Sequence, residues 1–459
     1  MNKYISEDTI AALSTAAGKS AIAVIRLSGG QACKIMSRVF VPSSETQKQV
    51  RHGYIVDGQQ KIDEVLCTFF EAPNTYTGEN IVEIAVHGNP VIINEVLNLL
   101  YKNGARAAEP GEFTYRAFLN GKKDLTEAEA VCALITSKTE TAAKAALNNV
   151  SGEFSKKIVK IKDSLITFLA YLEASLDYPQ EDIPFLSAGQ KEEMIKTLIK
   201  ETQNIISSYK VSENLQKGLK AAIIGKPNAG KSSLLNAMLG KNRAIVTEIA
   251  GTTTDTIEEI IDCRGIPLTL IDTAGLRNSS ENSIELLGQE KTKEAASKAD
   301  ILIWVFDSSC ALDKNDLQIA DYLKNSGFQG NIIGILNKTD LPSKINENDI
   351  KSFAEYTYII GVSAKTADCA TQITDKVAAI AGITEKQNEY LMVNSRHFSL
   401  LQTACSALLK VKDIIDSKKE DELACFEAKT AAAALEEILG INAPHDILDT
   451  IFGSFCIGK

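Results

Sequence analysis

The sequence is poor in the residues that build metal and disulfide frameworks. Its 459 residues include four histidines, and its nine cysteines are scattered singly with no CxxC pair. Zinc sites and disulfide scaffolds are therefore poorly supported, and a reducing cytoplasm fits. No apolar run approaches the ~18 residues that a membrane span requires. The opening Met1-Asn2-Lys3-Tyr4-Ile5-Ser6-Glu7-Asp8 lacks the make-up of a signal peptide. There is no internal repeat and no low-complexity tract. Positive charge is outnumbered, 49 Lys and Arg against 59 Asp and Glu: a formal net charge of −10 argues against indiscriminate coating of nucleic acid, though not against a local basic patch. With 44% apolar residues the chain reads as soluble and globular, and its length predicts about three domains.

What is present is concentrated in Gly225-Lys226-Pro227-Asn228-Ala229-Gly230-Lys231-Ser232. Lys220 to Ile224 before it reads as a short buried strand and Ser233 to Leu239 after it as a helix. That context distinguishes a phosphate-binding loop from a chance match. The glycines let backbone N–H groups turn inward around phosphate oxygens, and the helix N-terminus adds a favourable dipole. Asn228, Ala229, Gly230, Lys231, Ser232 and Ser233 are the predicted phosphate contacts. Lys231 is placed to reach the β/γ-phosphates and the Ser232 hydroxyl to ligate Mg2+.

Three further elements follow in the order a guanine-nucleotide site requires. Leu268 to Ile271 delivers Asp272-Thr273-Ala274-Gly275, where Asp272 can hold the metal through water and Gly275 can sense the γ-phosphate. Ile332 to Leu336 delivers Asn337-Lys338-Thr339-Asp340. A carboxylate at Asp340 can accept from both the ring N–H and the exocyclic amine of guanine, a pair that adenine does not offer. Asn337 would hold the base edge and the Lys338 stem would pack on the ring. Tyr358 to Val362 delivers Ser363-Ala364-Lys365, a backbone contact for the base oxygen.

Between the phosphate loop and Asp272 lies the expected first switch, in which Thr247, Glu248, Ile249, Ala250, Gly251, Thr252 and Thr253 are assigned to the nucleotide. Thr253 is the natural second protein ligand of Mg2+, and such loops order on the γ-phosphate. The catalytic group is less obvious. Many GTPases orient the attacking water with a Gln after the DxxG glycine; here that position is Leu276. Glu285 fits two readings, a water-orienting group and a solvated glutamate at a helix start. Transition-state charge still needs a cation. Asn228, Thr247, Ile249 and Thr252 could supply an oxygen cage for a monovalent one; Asn228 fits equally well as a brace for the loop.

The rest of the chain is organised by changes of period. Up to about residue 118 short strands and helices alternate. Ile22 to Leu27 is an apolar strand with Arg26 inside it. In Ile81 to His87, Val82, Ile84 and Val86 share one face, and Glu83 and His87 the other. Asn89-Pro90 caps a helix to about Lys102, closed by Gly104. From Thr126 the pattern turns helical: Thr126 and Glu129 suggest a capping box, and the helix is expected to run towards Val150. Phe154, Ile158, Ile161, Leu165, Phe168 and Leu172 form a heptad stripe that reads as bundle core. Tyr178-Pro179 ends that helix, and one more is expected from about Ser187 to Asn214. Phe398, Leu401, Cys405, Leu408 and Ile415 repeat the stripe after the nucleotide segment, and Glu422 to Leu439 stops at Gly440. Helices on both sides of the nucleotide segment suggest a helical domain into which it was inserted.

Selective segments complete the picture. They are Pro110-Gly111-Glu112-Phe113-Thr114, Arg116-Ala117-Phe118-Leu119-Asn120-Gly121-Lys122, Asp124-Leu125, Leu176-Asp177-Tyr178-Pro179 and Phe455-Cys456-Ile457-Gly458-Lys459. On these, over its whole length, the chain resembles the bacterial and organellar tRNA modification GTPase family called MnmE or TrmE. The resemblance implies an α/β plus all-α molecule: an N-terminal folate-binding and dimerising α/β domain (1–118), a split helical domain (119–215 and 383–459) and an inserted Ras-like P-loop GTPase domain (216–382). It implies a homodimer that works with a flavin-containing partner on tRNA, installing a carboxymethylaminomethyl-type group on carbon 5 of the wobble uridine. It also implies potassium-stimulated GTP hydrolysis and a 5-formyltetrahydrofolate or related tetrahydrofolate cofactor. Carried over by motif, Arg26, Glu83 and Lys122 would bind the folate, with Lys459 closing the site. Without the resemblance, Arg26 and Lys122 read as ordinary surface charges and the terminus as a frayed tail.

The chain departs from the family pattern at Thr254, where an Arg is usual, and at Ala16-Ala17-Gly18-Lys19-Ser20, which replaces a Pro/Gly-rich turn. The loop Arg277 to Ile284 is one residue longer, which shifts the alignment of Glu285. The alternative reading is a ribosome-assembly or regulatory GTPase without modification chemistry. Ribosome-assembly GTPases share the GxPNxGKS loop but append a KH-like domain or a second GTPase domain, and neither is apparent here.

Overall fold

The computed structural model describes residues 8–42, 49–177, 186–242, 259–271, 298–366, 368–383, 390–417 and 420–458. They form two compact units, one from segments 1–132, 150–167 and 429–459 and the other from 133–149 and 168–428. Among the described residues no helix is long and apolar enough to cross a membrane.

The first unit is built on a seven-stranded sheet. Its strands are β1 (Thr9–Leu13), β2 (Ser20–Ser28), β3 (Phe40–Val41), β4 (Val50–Asp57), β5 (Gln60–Phe70), β6 (Ile81–Gly88) and β7 (Ala105–Ala107), in the order β3-β4-β5-β6-β2-β1-β7. All pairs are antiparallel except β1 with β7. Alternation along β2 and β6 sends Ala23, Ile25, Leu27, Val82, Ile84 and Val86 into one core. The helices Ala32–Val39 and Pro90–Lys102 cover that face through Ile35, Met36, Val96 and Leu100. Asn89 caps the second helix by accepting from the Val91 N–H, and Pro90 occupies its first turn, as the sequence predicts. Further helices include Glu112–Leu119 and His445–Gly453, which meet at Tyr115 and Phe452.

The second unit holds a six-stranded sheet: β8 (Leu219–Ile224), β9 (Glu259–Cys263), β10 (Ile266–Ile271), β11 (Ile301–Asp307), β12 (Asn331–Asn337) and β13 (Tyr358–Gly361). The order is β13-β12-β11-β8-β10-β9, parallel except for the β9–β10 hairpin. The helices Lys231–Asn242 and Cys369–Ile380 cover one face through Leu234, Leu235, Ile373 and Val377. Lys314–Ser326 covers the other through Ala320 and Leu323. Burial on both faces explains why β11 reads as an unbroken apolar run. The long helices Ala188–Ser207 and Ser395–Asp416 run alongside each other in the same unit.

The helical stretches follow the predicted stripes with three corrections. Phe154, Ile158, Ile161, Leu165, Phe168 and Leu172 are all buried in the helix Glu153–Asp177. The helix expected from Thr126 to Val150 is instead two, Leu125–Thr136 and Glu140–Val150. Thr139 breaks it: its hydroxyl donates to the Gly265 carbonyl at 2.6 Å and accepts from the Ala142 N–H at 3.3 Å, starting a new helix. The capping box lies at Asp124 and Glu127, where each side chain accepts from the other's backbone N–H at 2.9 Å, and not at Thr126 and Glu129. The helix expected from Ser187 to Asn214 divides at Ser208 into Ala188–Ser207 and Tyr209–Lys217. In the second piece Ser212 donates to the Leu391 carbonyl and Asn214 to that of Ala381. Those two bonds tie it to a different neighbour from its predecessor.

Candidate functional site

The phosphate loop leaves β8 at the centre of the parallel sheet and enters the helix Lys231–Asn242. Its backbone is held in conformations that few side chains tolerate: Gly225, Asn228 and Gly230 all have positive φ. A Cβ at Gly225 would strike the Val305 carbonyl of β11, and one at Gly230 would strike the Asn337 side chain. These two positions therefore need glycine for close approach as well as for φ. The Lys231 ammonium is drawn over the loop, donating to the carbonyls of Gly225 and Lys226, each at 2.8 Å. Burial pushes its pKa down to about 8.

The elements that the sequence assigns to the base converge on the loop from β12 and β13. Asn337 is buried; its Nδ2 donates to the Ala229 carbonyl at 2.9 Å, and its Oδ1 accepts from the Ala364 N–H at 3.1 Å. Asp340 is exposed, accepting from the Ser363 hydroxyl at 2.8 Å and from the Lys365 ammonium at 3.3 Å. The Ser363 hydrogen bond first, and Lys365 behind it, hold the Asp340 carboxyl below the usual range. The loop residues, Asn337, Lys338, Asp340, Ser363, Ala364 and Lys365 thus come together at one end of the parallel strands.

Lys338, whose stem the sequence assigns to packing on the ring, also has a partnered head group. Its ammonium donates to the Asn228 carbonyl at 3.0 Å and pairs with Asp307 at 2.5 Å. Burial opposes the Asp307 charge, but Lys338 and Ser309 outweigh it and hold the carboxyl low. Asp307 carries no motif and was not legible; its position at the C-terminal end of β11 was the available signal. Of the remaining predicted nucleotide residues, Ser232 and Ser233 open the helix Lys231–Asn242. Thr247, Glu248, Ile249, Ala250, Gly251, Thr252, Thr253, Asp272, Thr273, Ala274, Gly275 and Glu285 lie outside the described residues.

The first unit carries a second constellation. Arg26 on β2 and Glu83 on β6 are register partners, and the guanidinium donates twice to Glu83 Oε1, at 2.9 and 2.7 Å. The Arg26 guanidinium also lies 5.7 Å from the ring centres of both Tyr76 and Phe113. The Pro110–Thr114 motif is thereby brought to Arg26, and Thr114 bonds the Tyr76 hydroxyl at 2.9 Å. Lys122 is exposed beside Gly78, and Asn120 donates to the Thr77 carbonyl at 2.7 Å, so the 75–79 loop links these motifs. Behind it Arg116, 2% exposed, pairs with Asp8, Glu79 and fully buried Glu112. The C-terminal segment docks here too: the Ser14 hydroxyl donates to the Gly458 carbonyl at 3.1 Å and Gly111 N–H to that of Cys456 at 3.4 Å. Lys459 itself lies outside the described residues. The Tyr76 and Glu79 roles were missed in the sequence because the 75–79 loop has neither periodicity nor a motif. Among the described residues no group of three or more His, Cys, Asp or Glu is placed to hold a metal ion.

A phosphate loop on the central strand of a parallel sheet, with Asn337 to Asp340 and Ser363 to Lys365 at the ends of its neighbours, defines a P-loop GTPase. Residues 9–122 match the model of the GTP-binding protein TrmE N-terminus, and 125–456 that of the MnmE helical domain. A tRNA modification GTPase MnmE of Endomicrobium trichonymphae is 61% identical over 99% of this chain and 100% of its own length. The same-named proteins of Thermoanaerobacter sp. (strain X514) and Aquifex aeolicus (strain VF5) are 41% and 38% identical, each over 98% of this chain and 99% and 100% of their own. The chain belongs to the tRNA modification GTPase MnmE family.

Proposed function

We propose that this chain binds and hydrolyses GTP in a potassium-stimulated reaction and works on tRNA. With a flavin-containing partner protein it installs a carboxymethylaminomethyl-type group on carbon 5 of the wobble uridine. The observation that carries this reading is 61% identity over the full length of a tRNA modification GTPase, with both units of the chain accounted for. It also favours modification chemistry over ribosome assembly. The proposed domains are 1–118 for folate binding and dimerisation, 119–215 and 383–459 for the helical domain, and 216–382 for the GTPase. The working form is a cytoplasmic homodimer.

Within the GTPase each residue has a physical task. Asp340, its carboxyl oriented by the Ser363 hydroxyl, accepts the two guanine donors, and Asn337 and Ala364 hold the base edge. Lys231 and the loop N–H groups bind phosphate oxygens, and Gly275 senses the γ-phosphate. Ser232 and Thr253 are the assigned Mg2+ ligands, and Asn228, Thr247, Ile249 and Thr252 the potassium ligands. Asn228 suits that role: it is exposed at a positive-φ turn of the loop, and an amide oxygen is a hard donor. Bound cations supply positive charge against the phosphates as negative charge builds. Glu285 orients the attacking water.

In the first unit, Arg26, Glu83, Lys122 and Lys459 bind a tetrahydrofolate. Arg26 and Glu83 present a cation and a carboxylate on one sheet face, beside the rings of Tyr76 and Phe113. That set fits a ligand with a carboxylate tail and a flat heterocycle with donor edges.

Mass spectrometry of wobble-uridine nucleosides, in tRNA from cells with and without this chain, tests the function. Loss of the carbon-5 group is the expected result. An unchanged nucleoside profile would overturn the modification role and leave a GTPase of another purpose.

A further inference from the structure

Lys226 is a phosphate-loop residue whose side chain takes no part in the motif chemistry. It points away from the loop mouth and is buried, with its residue 8% exposed. The ammonium donates to Asp316 Oδ2 at 2.7 Å, to Asp313 Oδ2 at 3.1 Å and, at 3.5 Å, to the Ala311 carbonyl. All three acceptors belong to the segment that starts the helix Lys314–Ser326. Asp316 is fully buried, and the same Oδ2 accepts from the Asp313 N–H at 3.1 Å, closing the helix capping box. One carboxylate oxygen therefore serves both the helix start and the loop.

The other end of Lys226 faces the site. Its carbonyl is one of the two acceptors that position the Lys231 ammonium, and it also receives the Ala229 N–H at 3.4 Å. The loop around it holds three positive-φ residues, one of them the non-glycine Asn228. Such a backbone persists when its surroundings over-determine it. The neighbours on the far side are Asn337 and Lys338, bonded to the Ala229 and Asn228 carbonyls. On the near side the corresponding tie is the Lys226 side chain.

We propose that Lys226 is a positioning residue for GTP, its side chain clamped by Asp316 and Asp313 so that its carbonyl and the following N–H groups are fixed for phosphate binding. Burial works against the Lys226 charge, yet the two carboxylates hold its pKa above the ordinary value, so the ammonium stays charged at neutral pH. The proposal rests on guanine-nucleotide binding at this loop, which the unaltered chain reports separately: no GDP binding there would overturn that reading, not the clamp.

The test uses the full chain and a fluorescent GDP analogue. Lys226→Met should weaken GDP affinity and raise the KM for GTP by about tenfold, with kcat falling less, because ground-state phosphate contacts are lost. Lys226→Arg should restore affinity to within about threefold, since a guanidinium can serve both carboxylates. If Lys226→Met does not fold, Asp313→Asn decides the matter. Asn is as good a helix cap as Asp, so this variant keeps the cap while taking from the clamp one charge and the acceptor that Oδ2 offers Lys226, and GDP should dissociate about threefold faster. Affinity within about twofold of the unaltered chain for Lys226→Met, or an unchanged GDP release rate for Asp313→Asn, would overturn the assignment.

Discussion

The Asn337 side-chain amide donates to the Ala229 carbonyl at 2.9 Å, joining the end of β12 to the phosphate loop. Its Oδ1 simultaneously receives the Ala364 N–H, so one buried side chain bonds the backbone of both other elements of the site. Asn337→Ala removes both bonds and leaves the buried Ala229 carbonyl and the part-buried Ala364 N–H without these partners, at a cost of about 1–3 kcal/mol. Part of that appears as lost stability and part as lost affinity. GTP binding measured by calorimetry should weaken by at least about tenfold. Wild-type affinity would mean that the loop holds its shape without Asn337.

Asp340 should decide which purine is accepted. As a carboxylate beside Ser363 it offers only acceptors, which match the guanine donors. Asp340→Asn substitutes an amide that can present a donor in their place. The variant should lose GTP affinity by about 100-fold or more and gain xanthosine triphosphate affinity, as sites built on paired hydrogen bonds discriminate strongly. Competition between the two nucleotides reads this directly, and an unaltered preference for GTP would remove Asp340 from its assigned role.

Lys231 should make nucleotide affinity depend on pH. Burial lowers its pKa from the ordinary 10.5 to about 8. The ammonium is the form that binds phosphate, so GTP affinity should be flat up to about pH 7.5 and then fall by up to about tenfold per pH unit. Stability of the nucleotide-free chain moves the other way. Between about 8 and 10.5 the unfolded chain binds the extra proton, so the contribution of Lys231 to folding improves as pH rises through that window. Titrating GTP affinity from about pH 6.5 to 9.5 checks the first effect. A flat profile would mean that the ammonium keeps its solution pKa.

Much of the GTPase was legible because its elements are short, contiguous and set on apolar strands. The loop from Gly225 to Ser232, Asn337 to Asp340 and Ser363 to Lys365 each contain their own signal, and the strands before them lie within one or two residues of their predicted limits. The failures share a cause: the deciding partner is distant in sequence. Thr139 ends a helix by bonding Gly265, and Ser212 and Asn214 redirect another by bonding Leu391 and Ala381. Lys226 finds Asp316 in a different helix start. At Asp124 and Thr126 two overlapping capping patterns compete, and Thr126 loses because its hydroxyl bonds Asp124 and Ser155 instead. The pairing of Arg26 with Glu83 was foreshadowed only by the two strands' alternation, which put Glu83 off the apolar face.

The Arg26–Glu83 pair bears on the proposed folate site. Arg26→Ala leaves Glu83 without its partner and removes the cation facing Tyr76 and Phe113. Affinity for 5-formyltetrahydrofolate should fall by about 100-fold, in keeping with the loss of a charge-assisted contact of about 1.5–3 kcal/mol, while GTP turnover by the same chain is retained. Calorimetry with the folate and a phosphate-release assay separate the two. Intact folate affinity would move the ligand elsewhere.

Glu112 should set the acid limit of the first unit. It is fully buried, accepting from Arg106 at 2.7 and 3.0 Å, from Arg116 at 2.9 Å and from the Glu109 N–H at 2.9 Å. Burial pushes its pKa up, but the Arg106, Glu109 and Arg116 hydrogen bonds outweigh it and hold the carboxyl below its ordinary 4.5. A lowered pKa contributes stability that is present above the unfolded value and lost as pH falls through the folded one. Glu112→Gln removes the charge but leaves Arg116 paired with Asp8 and Glu79, so the cost at neutral pH should be that of weakened charged hydrogen bonds, about 1.5–3 kcal/mol. The deficit should shrink as the medium is acidified below the ordinary 4.5, because there the unfolded unaltered chain takes up a proton at this carboxyl before the folded one does, and its advantage fades. Urea denaturation of both proteins at neutral pH and in acid reads the difference. A deficit that stays constant across that range would show that the charge of Glu112 contributes nothing to the fold, and that shape and hydrogen bonding carry its role.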